Sequence, residues 1–214
     1  MRNKSKDLDV CLMNYRNIPK EWDQTFDGII ANGSAEHFVQ VQDAIDGKQD
    51  QLYDEMFRIC HRLLRPGGYL ATTTIHFNQS MNPLEISRGS RSHPRGSDKF
   101  HFAKVLLEDF GGWYPVEGQL EECGKDHFSI EYHEDGTQDY HWTSEFWLSE
   151  MKRQILINPR VWMALLGKII RKPKETVRML DNLVVAQSWM WQFREREERG
   201  TPTKLFRDVW KRID

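Results

Sequence analysis

The chain has 214 residues, enough for one good-sized domain or two small ones, and its 30 Lys plus Arg against 32 Asp plus Glu leave a formal net charge of −2. That balance lacks the basic excess of a dedicated nucleic-acid binder, so no nucleic-acid partner is expected. No run approaches the ~18 apolar residues of a membrane span, and a 12% aromatic content with 8 Trp excludes intrinsic disorder.

The first residues, Met1 to Asp7, are charged with no apolar stretch behind them, unlike a secretory signal. Asp9 to Tyr15 reads as a short strand, which Pro19 follows and breaks. Phe26 to Gly33 is an apolar run of the kind buried on both faces of a parallel sheet. From Asp50 to Leu64, Leu52, Met56, Ile59 and Leu63 recur at helical spacing, and Arg65-Pro-Gly-Gly68 supplies the stop. Tyr69 to Ile75, rich in β-branched residues, is a strand. Strand, helix, turn and strand together predict an α/β fold with a parallel sheet.

Beyond it, His76 to His101 reads as a long polar loop of the kind that often forms lids or binding loops. Gly111 to Pro115 is a turn, and His127 to His133 alternates as a half-exposed strand with Phe128, Ile130 and Tyr132 on one side. The following third is helical: Thr143 to Ile155 with Thr143 or Ser144 as N-cap, the more apolar Val161 to Ile170, and a long helix from Lys174 to about Glu198. Lys204 to Trp210 is read as a last strand. Cys11, Cys60 and Cys123 are widely spaced without a CxxC pair, which suits three reduced thiols in a cytosolic protein. The histidines have no HExxH-type spacing, so no metal site is expected.

The stretch from Phe26 to Ile75 carries the chemistry. Phe26-Asp27, Gly33-Ser-Ala-Glu36-His37 and Leu64-Arg-Pro66-Gly67-Gly68 lie in order before a strand. In that order they resemble the class I, Rossmann-like S-adenosylmethionine-dependent methyltransferases, and within them the cyclopropane fatty acid synthase family. The Pro-Gly-Gly turn is common to many methyltransferases; the Glu-His step before it is the more specific part. Upstream, the segment through Asn14-Tyr15-Arg16 looks like the family's strand and adenine-contacting turn. Downstream, Tyr140, Thr143 and Trp147 match a Tyr-x-x-Thr-x-x-x-Trp helix.

The resemblance implies S-adenosylmethionine as cofactor and methyl transfer to a lipid acyl chain or a small-molecule acceptor. It implies cofactor contacts at Asn14, Tyr15, Asn32 and Gly33, and Glu36 at the reacting centre, where the family holds a bicarbonate base. As a bare carboxylate, Glu36 reads equally as a helix-start residue stabilised by the helix dipole. Two positions depart from the family. Thr73 stands where the synthases place a His, and Asn182 and Leu183 fall nearest a late-helix Tyr. Transfer to another acceptor is therefore at least as open as cyclopropane formation. No G-x-G-x-G is present, and the match begins at the family's third strand. The expectation is one partial domain: a Rossmann-like core at 1–76, a polar loop and helical acceptor side at 77–200, and a last strand at 201–214.

The alternative expectation is a non-catalytic remnant, or a subunit needing a partner chain for the missing strands. Arg88, Arg91, Arg95 and Lys99 read either as an ordinary polar loop or as contacts to phospholipid headgroups, placing the protein in the cytoplasm or peripherally on a membrane. Arg194 to Arg199 reads as a solvated helix end. Trp162, Trp189, Met190, Trp191 and Phe193 read first as helical core packing, with an acceptor pocket as the other use.

Overall fold

In the computed structural model of the chain, the described residues are 3–5, 8–79, 81–194, 196 and 200–214. A hairpin of β1 (Asn3–Ser5) and β2 (Leu8–Val10) stands apart from the main sheet. The strand expected over Asp9 to Tyr15 therefore ends early. Asn14 accepts a hydrogen bond from the Arg16 amide and so starts a 3-10 turn, Tyr15–Asn17. A second such turn, Lys20–Trp22, leads into β3 (Phe26–Asn32).

After β3 come the 3-10 turn Ala35–His37, the short helix α1 (Val41–Ile45), α2 (Gln49–Leu63) and β4 (Leu64–Phe77). Three helices then precede β5: α3 (Pro83–Ile86), α4 (Asp98–Val105), continued by a π-turn at Leu106–Phe110, and α5 (Gln119–Gly124). Strand β5 (Phe128–Asp135) is followed by α6 (Thr137–Ile157), α7 (Pro159–Arg171), α8 (Pro173–Arg194) and β6 (Thr203–Arg212).

The main sheet has the order β3-β4-β6-β5. Only β3 and β4 are parallel; β6 runs antiparallel to both β4 and β5, so the sheet is mixed. The reason is connectivity: the chain enters β6 opposite Phe77, at the end where β4 finishes. The last strand read from the sequence is thus a central strand, paired along both edges.

Several expectations need correction. The Phe26 to Gly33 run forms the parallel strand but is not buried on both faces. It is an edge strand among the described residues, and Ile30 is 82% exposed. Helix α2 does end at Leu63, just before Arg65-Pro-Gly-Gly68, but that segment is not a turn between two elements. It is a bulge inside β4, where the β3 register jumps from Phe26↔Leu64 to Gly28↔Tyr69 and Gly67 has a φ of +73°. A bulge likewise breaks the alternation in β5 between Ile130 and Tyr132, leaving both exposed. Helix α6 starts at Thr137 rather than Thr143. The Thr143 hydroxyl bonds back to the Asp139 carbonyl inside the helix, while Asp135 accepts from the Thr137 amide at its start. The polar stretch from His76 contains β4's buried end and two helices, α3 and the start of α4.

Helix α2 seals one face of the sheet. Tyr53, Met56 and Phe57 are buried there, and the Phe57 ring packs on Trp210 at 5.0 Å and Phe128 at 5.9 Å. The Trp210 indole donates to the Thr72 hydroxyl at 2.9 Å, so the largest core side chain keeps its one polar group satisfied. Burying each such aromatic contributes about 2–3 kcal/mol.

The three cysteines are free. Burial pushes the Cys60 thiol up to about 12 and the Cys123 thiol up to about 11, the latter with acidic neighbours Asp50, Asp54 and Glu122 adding to it. Cys11 is exposed. At neutral pH a disulfide reagent should therefore label one thiol quickly and the other two only on unfolding. Three equally fast thiols would contradict this packing.

Candidate active site

Ligands of open α/β sheets bind beyond the carboxyl ends of the parallel strands. Here that end is built from the segment following β3. Gly33 takes a φ of +60°, a conformation glycine adopts without strain, and its amide donates to the Thr73 carbonyl at 2.8 Å. The chain can then turn sharply into Ala35–His37 and drive Glu36 inward.

Glu36 is only 3% exposed. Its Oε1 accepts from the Ile75 amide at 2.7 Å, and its Oε2 is buried without a hydrogen-bond partner among the described residues. Burial raises its pKa, against the lowering effect of that hydrogen bond. The Glu36 carbonyl accepts from the Trp113 amide at 2.9 Å. Gly112, just before, has no room for a side chain because a Cβ would strike that same carbonyl oxygen.

Three tyrosines feel the Glu36 charge. Burial and then lesser electrostatic influences, Glu36 among them, raise Tyr53, Tyr114 and Tyr140. Tyr53 donates to the Trp113 carbonyl at 3.2 Å. The Tyr114 hydroxyl is buried beside the Gln192 side chain, whose polar contact partly offsets the upward shift. A buried carboxylate oxygen left open in a packed interior, with a buried phenol near it, marks a functional candidate.

Around them stands an aromatic wall. Phe77 packs on Trp113 and Tyr114 at 5.3 and 5.0 Å, and Phe110 on Tyr114 and Trp189 at 5.3 and 5.2 Å. Phe102 adds Trp189 at 5.3 Å and Trp191 at 5.6 Å. Trp113, Trp189 and Trp191 stand here. Trp142 and Trp147 on α6 and Trp162 on α7 are instead exposed.

The other positions read from the sequence fall nearby in part. Tyr15 lies against Phe38, with ring centroids 4.6 Å apart. Arg16 forks onto Glu55 of α2 at 2.8–3.1 Å, and Arg62 bonds the Ile18 carbonyl at 3.2 Å, so this turn is strapped to the helix. Tyr15, Phe38, Ile30 and Ser34 line an apolar cavity of about 260 Å³ between β3 and α2. Asn14 is exposed and spends its side chain on the turn. Asn32 ends β3 and is exposed. Thr73 offers its carbonyl to Gly33. The side chains of Asn182 and Leu183 lie outside the described residues, as do residues 195 and 197–199 of the charged run.

Sequence reasoning passed over Tyr114 and the closeness of Gly112. The sequence held a weak signal for them: two glycines before Trp-Tyr-Pro imply a close backbone approach, though not to which residue.

No protein-family model matches the chain, and no curated protein matches it at the sequence level. Solved structures do. Mycolic acid cyclopropane synthase CmaA1, complexed with SAH and CTAB, is similar at a TM-score of 0.58 and 21% identity over 94% of this chain and 59% of its own. Cyclopropane synthase MmaA2 from Mycobacterium tuberculosis gives 0.58 and 16%, over 90% and 57%. A putative sarcosine dimethylglycine methyltransferase from Galdieria sulphuraria gives 0.57 and 13%, over 93% and 57%.

The chain has the class I methyltransferase fold. It spans less than two thirds of the length of these three proteins. Within the class I methyltransferase fold, Glu36 sits at the carboxyl end of β3, where β3 and β4 are the parallel pair.

Proposed function

We propose that the chain takes part in S-adenosylmethionine-dependent methyl transfer of the cyclopropane synthase kind, to a lipid acyl chain or a small-molecule acceptor. The observation that carries this is the buried, half-satisfied carboxylate of Glu36 at the strand ends of this fold, walled by aromatic rings. When bound, the cofactor supplies an electrophilic methyl group. The residues fit such a group at two points. Tyr15 and Phe38 offer ring faces beside a cavity just under the ~300 Å³ floor of ligand pockets, room for the adenine end. The open Glu36 oxygen suits the other end, where it would orient or accept a proton in a water-poor site. Asn32 and Gly33 would add backbone contacts between these two points, all within one partial domain.

A second reading has its own observation. The outer edge of β3 is unpaired among the described residues, and a run including Phe26 and Ile30 is exposed along it. The chain would then be a subunit or remnant that grips the cofactor only once a partner chain supplies further strands.

Calorimetry with S-adenosylmethionine separates the two. Saturable heat below about 1 mM, the weak end of specific binding, supports binding by this chain, and Tyr15→Ala should then weaken it about tenfold through lost stacking. Absence of heat sinks unaided binding. For the acceptor, lipid analysis of expressing cells tests cyclopropane formation, and unchanged unsaturated chains would count against it.

A further inference from the structure

Helix α7 has an apolar side that is exposed among the described residues. Asn158 caps it by accepting from the Arg160 amide at 3.0 Å, and Pro159 opens its first turn. At about 100° per residue, Trp162, Met163, Leu166, Ile169 and Ile170 share one side, while Arg160, Lys168 and Arg171 share the opposite one. The apolar group is exposed throughout, Met163 by 75% and Ile170 by 82%. Leu156 and Ile157, at the end of α6 and 73% and 70% exposed, extend the strip. No acidic residue occurs from 159 to 174, and Lys172 and Lys174 add to the positive charge.

A contiguous exposed apolar strip of this kind marks an interaction surface. No helix among the described residues is long and apolar enough to cross a membrane. A second copy packed on the apolar side would leave Arg160, Lys168 and Arg171 facing away from the interface with no acidic partner, whereas a bilayer engages both sides of the helix. A basic helix with an aromatic and aliphatic face instead matches a lipid surface carrying negative charge. The apolar side enters the boundary of the acyl chains, and the long basic side chains reach back to the headgroups.

We infer that α7, with the end of α6, is an interfacial anchor that docks this protein on anionic lipid bilayers. The anchor needs neither cofactor nor acceptor, so it stands or falls apart from the transfer reaction. It also moves the lipid contact away from the polar stretch after β4. There Arg88, Arg91 and Arg95 are exposed without an apolar face beside them, and Lys99 lies over the Trp191 ring at 5.5 Å.

The test is co-flotation of the whole chain with phosphatidylcholine vesicles containing about one-third phosphatidylglycerol, against pure phosphatidylcholine. Binding is expected to the anionic vesicles and to weaken with salt. Neutralising Arg160, Lys168 and Arg171 to Gln should lower partitioning about fivefold per charge, on the order of 100-fold together. Met163→Glu with Ile170→Glu should lower it at least about tenfold. Both variants change exposed side chains, so circular dichroism should stay as in the parent chain. A parent chain that does not float with anionic vesicles overturns the inference, as does equal flotation of parent and variants. A dimer that dissolves on Ile170→Glu, with no vesicle binding, also overturns it and gives the face to a second copy.

Discussion

Replacing Gly112 with alanine should destabilise the protein by about 3 kcal/mol, the upper end of overpacking costs. The backbone of Gly112 passes so close to the Glu36 carbonyl oxygen that a methyl group has nowhere to go, and His37 Nδ1 closes the other side at 3.0 Å. The obstacle is backbone, so no side-chain rotation relieves it. The segment must lift, and the Trp113 amide then loses its 2.9 Å bond to the Glu36 carbonyl. Gly28→Ala is the control: its new Cβ would sit 3.7 Å from the Tyr69 carbonyl oxygen, an ordinary contact, and should cost under about 1 kcal/mol. Urea midpoints of the two variants decide the matter; equal midpoints would remove the argument that this close approach positions Glu36.

The second large effect concerns the Glu36 side chain and has a pH signature. Burial lifts its folded-state pKa above the ordinary 4.5. Below that ordinary value the group is protonated folded or unfolded, and it carries no penalty. As pH rises, the unfolded chain ionises first and gains by it. The penalty on the folded state grows through this window and is complete above the raised folded pKa. Glu36→Gln removes the charge while keeping an oxygen for the Ile75 amide. The variant should therefore outlast the parent at pH 8, with the gap closing toward pH 4. A gap independent of pH would show that the carboxylate is not penalised. Glu36→Ala should instead lose about 1–3 kcal/mol, because the Ile75 amide is left unpaired. Under the proposed function both variants lose methyl transfer, on the order of 100-fold, as for removal of a positioned acid–base group. A variant more stable yet inactive is the signature of a site that spends stability on function.

These two residues show where the sequence was legible. Where a regular spacing ran through a whole element, the sequence was legible. The spacing of Leu52, Met56, Ile59 and Leu63 predicts α2 to within one residue at each end, because a helix is built from contacts three and four positions apart. The β-branched run after Gly68 lies in β4, and the Glu36-His37 step lies just past β3, as its order in the sequence suggested. Bulges were not legible. Pro66-Gly67-Gly68 looks like a helix stop from inside its own segment, and only pairing with β3 turns it into a kink in one strand.

Tertiary structure also decided what surrounds Glu36. Tyr114 and Tyr140 lie far from it in the sequence and come near only when α6 and the Gly111 to Pro115 segment close over the strand ends. The same holds for the tryptophans. Composition announced an aromatic, folded chain with charge in balance, and local patterns announced α2, the bodies of α6 to α8 and most of its strands. Which aromatic rings wall a buried carboxylate and which, like Trp162, stay at the surface depended on long-range packing. Burial is a property of the whole chain, and no residue's neighbours in sequence carry it.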